Sequence, residues 1–170
     1  MIEQILIKIK DIILAPITHP EMIWISLPLL ISLVLIELYF GKYSKEELGW
    51  NSALSNSMLL SFVGLDLFRK LFTISGNKLV FCSKILVALG VTTVGFAFLY
   101  MNFYHKLPKK LAFTLNSVIP TNLTAYFAQV LVYTEQELTL AALISFITIY
   151  LGTWLFFSIV HIFETKGYDS

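Results

Sequence analysis

The sequence predicts an all-α integral membrane protein, with about five transmembrane helices preceded by an N-terminal amphipathic helix lying in the interface. Three observations carry that expectation. The chain is 57% hydrophobic and 14% charged over 170 residues, whereas soluble domains hold roughly 45–50% apolar and about 25% charged residues. Its mean hydropathy is +0.78. Five apolar stretches follow one another with only short polar connections between them, and each has the ~20 residues that cross a ~30 Å hydrocarbon core. An apolar, non-repetitive chain with the single cysteine Cys82 is neither a disordered segment nor a disulfide scaffold.

Residues 1–18 come first. Ile2, Ile5, Leu6, Ile9, Ile12 and Ile13 repeat at helical spacing, while Glu3, Gln4, Lys8 and Asp11 occupy the other side. A signal-peptide core does not tolerate those charges, so an interfacial helix is expected. The five spans are placed at about 22–40, 50–72, 79–104, 111–133 and 138–163. Together they make 1–170 one transmembrane domain and leave no room for a soluble catalytic domain. Thr18 with Glu21, Ser44 with Glu47, and Thr134 with Glu137 fit the capping-box pattern of a helix start. Pro20 and Pro108 suit a first helical turn, and Gly76 suits a helix end.

Orientation is balanced. Lys8, Lys10, Arg69, Lys70, Lys78 and Lys84 flank one side, and Lys42, Lys45, Lys106, Lys109, Lys110 and Lys166 the other. Glu135 and Glu137, without a cation, lean the loop between the fourth and fifth spans outward. The formal net charge of +1 offers no footprint for nucleic acid.

Polar groups in hydrocarbon cost free energy, so their positions are informative. The second span is the least apolar. Asn51, Ser55, Asp66 and Arg69 fall on one face, with Asn56 beside them, and this face is expected to meet a neighbouring helix or a wet cavity. Ser57, Ser61 and Gly64 fall on another face, with Ala53, and form a small-residue stripe that lets a helix approach closely. That pattern places the second span centrally. Asp66 and Arg69, one turn apart, read as an ion or proton site or as a local pair that holds the helix end.

The fourth span reads Asn116-Ser117-Val118-Ile119-Pro120-Thr121-Asn122. Pro120 lacks an N–H, so the Asn116 carbonyl loses its helical donor and a kink is expected there. Freed backbone groups in a membrane need side chains, water or a ligand. Asn122 and Gln129 share a face and suit an interhelical seam. Ala141, Ser145, Thr148 and Gly152 make a close-packing stripe on the fifth span.

Neither a metal-ligand cluster nor a nucleophile or phosphate-binding motif stands out, so no catalytic residues, metal or cofactor are expected. Two functions remain. One is a homo-oligomeric pore or small transporter, its polar pathway lined by the second and fourth spans. The other is a non-catalytic structural or accessory subunit of a membrane complex, in which the same residues make dry hydrogen bonds. Both imply a multi-pass membrane location, contact with membrane lipids, and another copy or a membrane-protein partner.

Overall fold

A computed structural model describes residues 2–43, 49–73, 78–134 and 136–166. These residues form α-helices α1 (Ile2–Thr18), α2 (Ile23–Lys42), α3 (Trp50–Leu71), α4 (Lys78–Phe103), α5 (Lys109–Leu115), α6 (Val118–Tyr133) and α7 (Leu140–Lys166), and no strand is found among them. A single 3-10 turn, Pro20–Met22, joins α1 to α2. Three helical stretches are long and apolar enough to cross a membrane: Pro20–Lys42, Phe81–Phe103 and Leu140–Phe163. The other two expected spans stand apart for separate reasons. α3 has the length but carries Asn51, Asn56 and four serines, and the stretch 111–133 is divided into α5 and α6.

The most enclosed helix is α6, not α3. Almost every α6 residue from Val118 to Tyr133 is buried, packed by Leu60, Val63 and Leu67 of α3, Leu29 of α2, and Ile12 and Ala15 of α1. α6 is apolar over most of its surface and buries its amides Asn122 and Gln129, so it belongs inside, while α3 keeps Asn51, Ser55 and Arg69 exposed. α3 and α4 form a tight antiparallel pair along the small-residue stripe. A Cβ added at Gly64 would stand 2.8 Å from the Thr92 Cα, and one at Gly95 would stand 2.7 Å from the Ser61 backbone nitrogen. Only glycine permits that approach.

α1 lies across the junction of α6 and α7. It buries Ile12 and Ala15 and leaves Ile2, Leu6, Ile13 and Ile17 exposed along one side. Tyr126 donates to the Ile12 carbonyl at 2.7 Å. Ser145 donates to the Ile5 carbonyl at 3.1 Å, and the Gln136 amide reaches Asp11 at 3.0 Å.

Two of the expected capping boxes do not form. Thr18 ends α1 and turns its hydroxyl back to the Leu14 and Ala15 carbonyls, and Glu21 pairs with Lys70 instead. Thr134 ends α6, while Thr139 accepts the Ala142 N–H at the start of α7. In each case the threonine sits at the end of the preceding helix and donates to a carbonyl there; Thr134 donates to Val130 and also accepts the Gln136 N–H at 3.1 Å, but Glu137 does not complete the box. Ser44, Glu47 and Gly76 lie outside the described residues.

Candidate functional site

Proline decides where this bundle has free backbone acceptors. In a helix, Pro120 cannot donate to the Asn116 carbonyl. The result is a break one turn before the proline rather than a kink at it. Asn116 closes α5, and Ser117 turns extended (ψ 166°) to start α6. The freed carbonyl is then taken by another helix, as Asn56 Nδ2 of α3 donates to it at 2.6 Å.

Around that bond the helices build a closed amide and hydroxyl cluster. Asn116 Nδ2 donates to the Ala112 carbonyl at 2.9 Å. Ser57 Oγ lies 2.9 Å from Asn116 Oδ1 and 2.7 Å from the Ala53 carbonyl, and its one proton serves one of them at a time. Asn102 Nδ2 of α4 donates to Ser57 Oγ at 2.7 Å. Asn56, Ser57, Asn102 and Asn116 are all less than 10% exposed, at 8%, 0%, 1% and 1%. Buried polar groups of this kind persist because they are hydrogen-bonded to one another.

Asp66 belongs to a second, open region. α2 and α3 splay apart and leave a cleft of about 640 Å³ lined by Trp24, Ile25, Pro28, Leu29 and Ser32 on one wall and by Ser55, Met58, Leu59, Phe62, Val63 and Asp66 on the other. At its end Asp66 accepts from Arg69 Nε at 2.7 Å and from the Tyr133 hydroxyl. Lys70 pairs with Glu21 across the two walls. Glu37, the other acid singled out, lies toward the opposite end of α2, where its carbonyl is 2.9 Å from His161 Nε2. Asp66 and Glu37 therefore do not meet.

The remaining candidates divide between these two regions and the packing seams. Asn51 is exposed at the start of α3, and Ser55 is exposed on the cleft wall. Pro120 sits in the first turn of α6. Asn122 Nδ2 donates to Ser32 Oγ at 2.8 Å and to the Leu29 carbonyl at 2.9 Å, joining α6 to α2 behind the cleft. Gln129 is fully buried, and neither of its side-chain polar atoms has a partner among the described residues; the same holds for Asn122 Oδ1 and Asn102 Oδ1. Ser57, Ser61 and Gly64 face α4. On α7, Ser145 is buried against α1, Ala141 is half-buried, and Thr148 and Gly152 are exposed.

Sequence reasoning missed three members. Asn102 is the one amide in α4, a signal that was present but masked by its nearness to the span's end. Tyr133, at the end of the fourth expected span, was not singled out as a site residue, yet its hydroxyl donates to Asp66. Lys84 read as a flanking cation, yet it is buried and donates to the Val132 and Thr134 carbonyls at 3.2 and 2.7 Å, capping α6. Among the described residues no group of three or more His, Cys, Asp or Glu could hold a metal ion. The chain matches no protein family, no curated protein and no solved structure in these comparisons.

Proposed function

We propose that this chain is a non-catalytic subunit of a membrane assembly, with five membrane-crossing segments and α1 lying in the interface. Its polar residues on α3 and on α5–α6 serve as dry bonds that hold the helices in one arrangement. The observation that carries this reading is the Asn56 amide on the proline-freed Asn116 carbonyl, inside a cluster closed to solvent. In hydrocarbon such a carbonyl costs several kcal/mol unless it is met, and here an adjacent helix meets it. The three-sided character of α1 supports its place in the interface. Ile12 and Ala15 face the bundle, Ile2, Leu6, Ile13 and Ile17 face outward, and Glu3, Gln4 and Lys10 share the remaining side.

One observation favours the alternative, a pore or small transporter lined by the same two segments. Gln129 and Asn122 share a face of α6 and keep buried polar atoms without protein partners, which water or a permeant would satisfy. Thiol accessibility in sealed vesicles decides between the two. In a Cys82→Ser background, cysteines replace Ser57, Asn122 and Gln129 one at a time, and a membrane-impermeant maleimide is applied. Protection at all three supports the subunit reading. Fast labelling at Asn122 and Gln129 in folded protein moves the assignment to a transport pathway.

A further inference from the structure

Three prolines lie inside helices, and each removes the donor for a carbonyl four residues earlier. Pro16 frees Ile12, whose carbonyl takes the Tyr126 hydroxyl. Pro120 frees Asn116, whose carbonyl takes the Asn56 amide. Pro28, inside α2, frees Trp24. No side chain among the described residues donates to the Trp24 carbonyl, and both Trp24 and Pro28 line the cleft between α2 and α3.

The rest of the cleft shares that imbalance. Its polar groups are mainly acceptors at one end of an apolar channel. Ser32 gives its proton to the Leu29 carbonyl. Asp66 Oδ1 takes both Nε and Nη2 of Arg69, at 2.7 and 2.6 Å, while Oδ2 takes only the Tyr133 hydroxyl, which leaves a lone pair on Oδ2. The fork of Arg69 turns Nε and Nη2 to Asp66, so Nη1 points away from it, on a side chain that is 71% exposed. The Asp66 carboxylate thus stands beside an outward guanidinium at the end of an apolar slot, and Trp24, whose carbonyl lost its i+4 donor to Pro28, lines the facing wall. Lys70 and Glu21, beside this end of the cleft, pair with each other.

We propose that this cleft seats one acyl chain of an ethanolamine phospholipid, with the ammonium on Asp66 and the Trp24 carbonyl and the phosphate on Arg69. The charges complement one another in order: ammonium to carboxylate, phosphate to guanidinium. Such charge-assisted bonds are roughly twice as strong as neutral ones. The chain lies against Ile25, Leu29, Met58, Leu59, Phe62 and Val63. This assignment rests on the membrane reading above, because an acyl chain reaches the cleft from a bilayer.

Extraction of the protein from cell membranes is measured first. Release by alkaline wash without detergent overturns the membrane reading itself. For protein that requires detergent, native mass spectrometry of delipidated chain in dodecyl maltoside, titrated with dioleoyl phosphatidylethanolamine or phosphatidylcholine, tests the cleft. The choline group keeps the charge but has no N–H, so the ethanolamine lipid is expected to bind first and about five-fold or more tighter. Asp66→Asn brings that ratio near one. Ser55→Trp, at an exposed wall position, fills the slot and removes the first equivalent of both lipids. Leu86→Trp, on the outward side of α4, leaves both unchanged. Equal retention of the two lipids, or unchanged retention in Ser55→Trp, overturns the proposal. So does a shift from dimer to monomer in Ser55→Trp with lipid binding intact, since a second copy would then be the occupant.

Discussion

Asn116 and Trp24 suffer the same event and end in opposite environments. Each carbonyl loses its helical donor to a proline four residues on. At Asn116 the chain breaks, an amide from α3 fills the vacancy, and the region closes into a cluster of four buried polar side chains. At Trp24 the helix continues, the opposing helix stands off, and the residue lines an open cleft. A proline in a membrane helix creates an acceptor, and whatever lies across from that acceptor decides what it becomes. Asn56 lies across from Asn116, and it turns a vacancy into a fastening. The space between α2 and α3 lies across from Trp24, and it leaves the vacancy available.

The closed region breaks most severely where backbones touch. Gly95→Leu pushes a side chain into the Ser61 nitrogen, 2.7 Å from where a Cβ would stand, and into its Cα at 2.9 Å. A rigid backbone cannot yield as a side chain does, so the substitution is expected to cost more than about 3 kcal/mol, beyond ordinary overpacking. It is also expected to draw Asn102 away from Ser57, since their bond crosses the same α3–α4 seam. Unfolding in mixed micelles followed by circular dichroism measures it. Gly152→Leu is the control, because nothing lies within 4 Å of a Cβ there. A small effect at Gly95 would mean that the two helices do not pack this closely.

Next in size is Asn56→Leu. It leaves the Asn116 carbonyl buried without a donor, a loss of about 1–3 kcal/mol. Pro120→Ala sharpens the comparison, because an N–H at position 120 lets α5 and α6 join as one helix and so supplies a donor for that carbonyl. The cost of Asn56→Leu is expected to fall by about 1 kcal/mol in the Pro120→Ala background, measured as a double-mutant cycle. An unchanged cost would sever the link between proline and amide.

That link also marks how far the sequence could be read. Pro120 announced a freed carbonyl at Asn116, and the small stripe Ser57, Ser61, Gly64 announced a closely packed neighbour; both follow from local chemistry. The donor that answers Pro120 sits sixty residues away on α3, and no local rule connects Asn56 to it. Asn102 and Tyr133 were hidden for a related reason. Near a helix end an amide or a phenol looks like an interfacial residue, and only the packing of α4 and α6 against α3 turns them inward. The cleft was least legible of all. Ser55 and Asp66 share one polar face in the sequence pattern and both line the cleft, but a space between two helices has no signature in either one.

Asp66→Asn probes the open region and is expected to be mild. The acid pairs with a guanidinium that is largely exposed, and exposed pairs contribute about 0–1 kcal/mol. The Tyr133 bond survives, because an amide oxygen also accepts. A loss above about 2 kcal/mol in the same micelle assay would show that Asp66 fastens α3 to α6 as firmly as Asn56 does, and the contrast between the two regions would collapse.

The smallest stability change, and the most telling, belongs to Pro28→Ala. If the Trp24 carbonyl had a partner across the bundle, restoring its helical donor would straighten α2 away from that partner and destabilise the protein. Nothing among the described side chains fills that role, so alanine closes the gap within the helix at no tertiary cost. A proline inside a helix ordinarily costs about 3 kcal/mol, and much of that is already absorbed where the kink is tolerated. Unfolding is therefore expected to change by less than about 1 kcal/mol and toward greater stability. Retention of the ethanolamine lipid should weaken, because one of its two acceptors is then occupied from within. A clear destabilisation would place a protein donor on Trp24, and the two prolines would then be two instances of one fastening.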